Sequence, residues 1–317
     1  MSELGRLHVS RALPERVMEA ARARFDVTVR DTTQPMTPAE VAEALAACDV
    51  LLPTLGDPLG ADAYRGPIRA KGLANFGVGV NHIDLAAARA AGLAVTNTPG
   101  AVTDATADIA LTLILMTARR AGEGERLVRA GRWEGWHPTQ MLGLHVTGRS
   151  VGIVGMGRIG EAVARRCRAG FGMEVVFWNR SPKDVDGARR LGSVAEVCAA
   201  SDVVVMAVAA TPETRHLMDA DALAAMRPHA ILVNVARGDV VDEAALIDAL
   251  ERGAIGGAGL DVYEHEPRVP DALRALETVT LLPHLGTAAL EVREAMGRMA
   301  LDNAVAIAEG RPPPDPA

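Results

Sequence analysis

Residues 150–171 read SVGIVGMGRIGEAVARRCRAGF, an apolar run that ends on Gly155-Met156-Gly157-Arg158-Ile159-Gly160 and passes directly into a helix-like segment. A lone GxGxxG is only a Gly-rich turn. Between a strand and a helix it becomes a phosphate cradle. Gly155, Gly157 and Gly160 permit a tight turn, close approach of the backbone to a pyrophosphate, and close helix-to-strand packing, while the helix amino terminus offers free amides and partial positive charge. Toward the carboxyl terminus EVVFW, DVVVMAV, HAILVNV and AIGGAGLDV repeat the apolar-run pattern, which predicts a parallel sheet of βαβ units. Toward the amino terminus LHVS, PERVMEAARARF, DVTV, TPAEVAEALAAC and DVLLP alternate in the same way, followed by expected strands over 73–78 and 93–96. A helix over 103–120, with Ile109, Leu113 and Met116 or Thr117 at helical spacing, joins the two series and reads as an inter-domain or subunit-packing helix. A last helix over 287–309 follows the second sheet and is expected to cross back onto the first domain. PPPDPA beyond it cannot continue it, because proline lacks the amide donor.

The size agrees with two such series, since 317 residues at ~150 per domain give two domains. Charge excludes several partners: 33 Lys+Arg against 40 Asp+Glu leave −7, a poor match for a phosphate backbone or an anionic membrane. Nucleic acid and membrane are therefore not expected partners. Aromatic residues are 3% of the chain, too few for stacking platforms. Cys48, Cys167 and Cys198 form no CxxC pair, and His82, His137, His145, His216, His229 and His265 show no metal-ligand spacing, so no metal site is assigned and a reducing, cytoplasmic setting is expected. The start, MSELGRLHVS, lacks a basic run followed by an apolar core, and no apolar stretch approaches the ~20 residues of a membrane span.

About 20 residues beyond Gly160 an NAD-selective cradle places an acid on the ribose hydroxyls. Here stand Trp178-Asn179-Arg180-Ser181. An acid would repel a 2′-phosphate, whereas Arg180 can pair with it and Asn179 and Ser181 can add neutral hydrogen bonds. NADP(H) is favoured, with NAD(H) still open. The other reading of Arg180 is a solvated arginine in a turn before Pro182. Further on, Arg237 in NVARGDVVDE, Glu266 in DVYEHEP and His284 in LLPHLGTA sit at strand ends or loops of the second sheet, where open α/β sheets bind ligands. Singly they read as a turn cap, a loop acid and a core histidine. Together they supply what reduction of a 2-keto acid needs: a fixed cation for the carboxylate and keto oxygen, a proton donor, and a carboxylate to keep that donor protonated.

Seven ordered motifs carry a resemblance over nearly the whole chain: FGVGVNHID, NTPGAVTDATADIALTLILMTAR, VGIVGMGRIG, TPETRHLM, NVARGDVVDE, GAGLDVYEHEP and PHLGTA. Through them the chain resembles the NAD(P)-dependent D-isomer-specific 2-hydroxyacid dehydrogenases, and among these the glyoxylate/hydroxypyruvate reductases. The resemblance implies an α/β fold of two doubly wound parallel-sheet domains, flavodoxin-like and Rossmann-like, with the active site in the cleft between them. Residues 1–98 with 287–317 would form the substrate domain, and 99–286 the dinucleotide-binding domain. Arg237, Glu266 and His284 would be the catalytic arginine, acid and histidine. Gly77, Val78 and Gly79 would form the loop whose amides hold the substrate carboxylate, with Leu55 in another wall of the site. Thr103, Arg158, Ile159, Asn179, Arg180, Pro212, Thr214, Val235, Asp261 and Gly286 fall at dinucleotide contacts. Trp136 matches a tryptophan that reaches the partner subunit's pocket in a homodimer, or else anchors its own loop. MAVAATPET departs from the usual histidine-proline pairing and leaves a small, apolar adenine-side wall. Glu266 speaks against formate, since the related formate dehydrogenases carry glutamine there. A dehydrogenase for a bulkier keto acid such as phenylpyruvate, or a nucleotide-sensing interaction protein on the same fold, are the alternatives. Phosphorylated substrates fit poorly, as LLPTLGDPLG and FGVGVNHID contain no cation.

Overall fold

The computed structural model describes residues 4–317 and divides into two compact units, one running through Val102 and resuming at Ala288–Ala317, the other Thr103–Thr287. In the first unit β1 (Arg6–Val9), β2 (Asp26–Val29), β3 (Val50–Leu52), β4 (Gly72–Ala74) and β5 (Ala94–Thr96) form one parallel sheet in the order β2-β1-β3-β4-β5. That order reverses direction between β1 and β3, as in a flavodoxin-like sheet. The inner strands β3 and β4 are buried along their whole length, so they read as unbroken apolar runs and not as alternating ones. The helix Pro38–Ala47 starts on a capping box: Glu40 N–H donates to Thr37 Oγ1 at 3.3 Å and Thr37 N–H to Glu40 Oε2 at 2.7 Å. The final helix, Leu290–Ala308, belongs to this unit and buries Ala300, Leu301, Ala304, Val305 and Ile307 against Leu7, Val9, Phe25, Val50, Leu52 and Ala74. It begins three residues later than the expected 287, because the chain is still extended at Ala289 (ψ 139°).

The second unit holds seven parallel strands: β6 (Ser150–Val154), β7 (Glu174–Trp178), β8 (Ala188–Arg190), β9 (Val203–Met206), β10 (Ile231–Asn234), β11 (Gly257–Leu260) and β12 (Val279–Leu281). Their order, β12-β11-β10-β9-β6-β7-β8, is doubly wound with its reversal at β6 and β9. The fold is thus α/β with two parallel sheets. The glycine turn after β6 lies at the reversal, where such sheets take ligands.

Two local readings are corrected, and one strand is added that the sequence pattern does not show. The expected strand over 73–78 stops as a regular strand at Ala74: Asn75 N–H still donates to Thr96 O of β5 at 3.3 Å and Phe76 bridges Thr54 beyond β3, and the chain turns away at Gly77, whose N–H bonds back to Asn75 O at 3.1 Å. The expected helix over 103–120 ends at Ala118. Arg120 takes a left-handed conformation (φ 53°), and a second helix, Ala121–Arg129, starts from it. β8, made of the polar triplet Ala188-Arg189-Arg190, had no apolar signal and joins only as an edge strand.

Candidate active site

The three glycines of the turn differ in what surrounds them. Gly155 has φ 101°, and a Cβ there would lie 2.6 Å from Val208 N. A Cβ on Gly160 would lie 2.2 Å from Gly155 O. Gly157, which precedes the helix Arg158–Phe171, has nothing within 4 Å of its Cβ position. Two glycines are therefore required by the protein's own packing, and the middle one faces open space at a helix amino terminus. That is the cradle a pyrophosphate fits.

β6 and β7 run in register with Val154 opposite Trp178, so Asn179 and Arg180 arrive beside the turn. Asn179 braces it, with Oδ1 accepting from Met156 N–H at 3.3 Å and Nδ2 donating to Ser181 O at 3.0 Å. Arg180 is exposed. Sequence reasoning missed Lys183, whose ammonium donates to Met156 O at 3.0 Å and pairs with Glu161 on the helix after the turn. Its signal was a second cation three residues past Arg180. Thr103 and Arg158 each open a helix, and Thr214 Oγ1 closes the short turn Pro212–Thr214 by donating to Ala209 O at 2.8 Å. Ile159 is half-buried, and Val235 is buried just past β10.

Arg237, Glu266 and His284 follow β10, β11 and β12 respectively, and the structure brings the loops that carry them together. A Cβ on Gly238 would lie 1.8 Å from Tyr263 C, so only glycine lets the Arg237 turn press against the strand-end loop leading to Glu266. Arg237 Nη1 donates to Ala236 O at 2.7 Å. Burial pushes the guanidinium pKa down, against the opposing charges of Glu266, Asp239 and Asp261. Glu266 uses both oxygens: Oε1 accepts from Tyr263 N–H at 3.1 Å and Oε2 lies 2.9 Å from His284 Nδ1. Burial tends to raise its pKa, yet the bond and charge of His284, the Tyr263 amide and Arg237 together hold it below the ordinary carboxylate value. With Nδ1 held by a carboxylate, Nε2 is the ring nitrogen left for proton exchange.

His284 itself sits at φ 54°, an uncommon conformation for a side-chain-bearing residue. Asp261, 2% exposed, holds it there. The His284 amide donates to Asp261 O at 2.9 Å, while the Asp261 carboxylate accepts from Leu285 N–H at 2.6 Å and Gly286 N–H at 2.9 Å. Asp261, expected as a dinucleotide contact, thus shapes the histidine turn, and burial pushes its pKa up. A second feature missed in the sequence ties two site loops together. His216 Nε2 and Arg215 Nη2 lie 3.0 and 3.2 Å from Glu264 Oε1, linking the loop after β9 to the one carrying Glu266.

Leu55, Val78 and Gly79 belong to the first unit. Leu55 O accepts from Arg11 Nη2 at 2.5 Å, and Arg11 also meets Asp57, which is fully buried. Trp136 lies in the loop between Ala121–Arg129 and β6 and is 78% exposed. Among the described residues no group of three or more His, Cys, Asp or Glu could hold a metal ion, and no helix is long and apolar enough to cross a membrane.

Comparison with known proteins places this geometry in company. Residues 111–286 match the profile of the family described as D-isomer specific 2-hydroxyacid dehydrogenase, NAD binding domain. The chain is 40% identical to the glyoxylate reductase of Thermococcus kodakarensis over 98% of this chain and 95% of that one. It is 39% identical to that of Pyrococcus furiosus over 98% and 94%. Among solved structures, an NADPH-dependent glyoxylate/hydroxypyruvate reductase from Sinorhizobium meliloti, in complex with NADP and malonate, is 35% identical over 99% of this chain and 97% of that one, with a TM-score of 0.89.

Proposed function

Because the chain belongs to the D-isomer specific 2-hydroxyacid dehydrogenases, a family of NAD(P)-dependent oxidoreductases, we propose that it reduces glyoxylate and hydroxypyruvate to their 2-hydroxy acids, with NADPH preferred to NADH. The observation that carries the reading is the 2.9 Å contact of Glu266 with His284 Nδ1, set in the loop that Gly238 presses against the Arg237 turn. The turn of Gly155, Gly157 and Gly160 would hold the pyrophosphate of a nicotinamide dinucleotide, which when bound would supply hydride to the keto carbon. Arg237 stabilises negative charge on the keto oxygen, and His284 Nε2 gives that oxygen its proton. Glu266 holds the ring oriented through Nδ1. The amides of Val78 and Gly79 take the substrate carboxylate, and Arg180 takes the 2′-phosphate. The first unit is read as the substrate domain and the second as the dinucleotide domain, in a homodimer.

A spectrophotometric panel tests this, following NADPH and NADH oxidation with glyoxylate, hydroxypyruvate, pyruvate and phenylpyruvate. Glyoxylate and hydroxypyruvate with NADPH should give the highest kcat/KM. Preference for phenylpyruvate would move the assignment to a bulkier-acid dehydrogenase, and absence of turnover with all four would reject the reductase reading in favour of a nucleotide-sensing protein.

A further inference from the structure

The residues after the final helix return to the first sheet. Pro316 bridges antiparallel to Thr96, and Ala317 N–H donates to Val95 O at 2.9 Å. Asp315 does more than cover an edge. Its backbone carbonyl accepts from Asn97 N–H at 3.1 Å, its own amide donates to Asn303 Oδ1 at 3.0 Å, and its carboxylate accepts from Asn303 Nδ2 at 3.1 Å. Asn303, fully buried on the final helix, also donates to Asn97 O at 3.4 Å. Both backbone polar atoms of Asn97 are thereby held from the carboxyl-terminal segment.

The side chain of Asn97 points this constraint at one peptide. Asn97 Nδ2 donates to Val78 O at 3.0 Å, the one partner of that carbonyl among the described residues. Gly77 O accepts from Thr98 N–H at 3.0 Å and from Asn75 Nδ2 at 3.1 Å. In a planar trans peptide the C=O of one residue and the N–H of the next point in opposite directions. Anchoring Gly77 O and Val78 O therefore turns the Val78 and Gly79 amides the other way, and neither donates to a protein acceptor among the described residues. Two successive free amides on a glycine-rich loop are the donors from which an anion-binding concavity is built.

We propose that Asp315, Asn303 and Asn97 form a latch that orients the Gly79 amide for the substrate carboxylate, making the carboxyl-terminal segment a positioning element for the 2-keto acid. The proposal rests on the reading that this loop takes that carboxylate. It assigns Asn97 the direct role and Asp315 an indirect one, so their substitutions should act along one path. A segment that only shields the edge of β5 would change stability and leave substrate affinity alone.

The test compares full-length Asn97→Ala, Asp315→Ala, Asp315→Asn and the Asn97→Ala/Asp315→Ala double variant by steady-state kinetics, thermal melting, and hydrogen exchange at the protected amides of Phe76, Gly77 and Thr98. Asn97→Ala should raise KM for glyoxylate about tenfold, with kcat within about threefold and KM for NADPH unchanged. Asp315→Ala should shift the same parameter about threefold, Asp315→Asn should restore it by keeping an acceptor toward Asn303, and the double variant should be no worse than Asn97→Ala alone. Exchange at the three amides should quicken in Asn97→Ala and Asp315→Ala. Unchanged exchange overturns the latch, and so does quickened exchange with an unchanged KM for glyoxylate. Wild-type protein that turns over no keto acid would sink the function proposed above, and the exchange rates would still decide whether the latch exists.

Discussion

Glu266 is held ionised by its neighbours although burial works against it, and its Oε2 fixes the ring of His284 through Nδ1 at 2.9 Å. The sign is that of a depressed carboxylate: the favourable interaction is present above the unfolded value of about 4.3 and is lost as pH falls through the folded one. Glu266→Gln keeps the shape without the charge. Reduction should lose about tenfold or more in kcat with KM for NADPH unchanged, and the fall of Tm on the acid side should become shallower, because the carboxylate whose protonation costs the interaction is gone. A variant with wild-type kcat and a wild-type profile of Tm against pH would mean that the carboxylate neither positions the proton donor nor stays ionised against its burial. His284→Gln should lose about 10² to 10⁴ in kcat, the contribution of a general acid, while a fluorescence titration still shows NADPH binding. Arg180 tests the other end of the site. It is exposed beside a turn whose other polar groups, Asn179 and Lys183, already hold Met156. Arg180→Ala should raise KM for NADPH by the equivalent of about 1.5 to 3 kcal/mol and leave KM for NADH nearly unchanged. Equal shifts for both cofactors would transfer the phosphate contact elsewhere, with Lys183 the first candidate.

At the scale of the element, the glycine turn separates packing from binding. Gly160→Ala must push its Cβ into Gly155 O, 2.2 Å away, and should lower Tm or prevent folding. Gly157→Ala meets nothing and should melt like the wild type, yet weaken NADPH binding about tenfold or more by obstructing the approach of the phosphates. Equal affinity in a well-folded Gly157→Ala protein would remove the pyrophosphate from this turn. The turn was legible in the sequence because strand, glycine spacing and helix each require the others. So were the inner strands, whose burial on both faces leaves unbroken apolar runs such as Val203–Met206. What escaped was set by tertiary contact. Ala188–Arg190 joins the sheet with no apolar pattern, Arg120 breaks a helix that its composition would continue, and the 75–79 loop takes its shape from Asn97 and Thr98. The site divides likewise: Arg237, Glu266 and His284 stood in motifs, whereas Lys183 and the His216–Glu264 pair became visible only when the loops after β7, β9 and β11 were folded.

For the whole molecule, the distribution of exposed apolar side chains argues for a second chain. Val128, Trp133, Trp136 and Leu142 are 59%, 53%, 78% and 68% exposed, all within fifteen residues of sequence. Two of the three tryptophans stand in this stretch. Large apolar side chains gathered in one exposed region mark an interaction surface, and tryptophan is among the residues that dominate such interfaces. The expected outcome is a two-chain mass by light scattering at micromolar concentration. Val128→Asp with Leu142→Asp should shift it to one chain, since neither side chain is part of a core and each new charge would be buried on association. Trp136→Ala tests the stronger claim that the region also shapes the partner's substrate site: it should lower glyoxylate turnover and raise the phenylpyruvate-to-glyoxylate ratio of kcat/KM. A wild-type protein that stays monomeric at micromolar concentration would exclude any contribution of Trp136 from a partner chain. A dimer whose Trp136→Ala form keeps the wild-type substrate ratio would confine that tryptophan to anchoring its own loop.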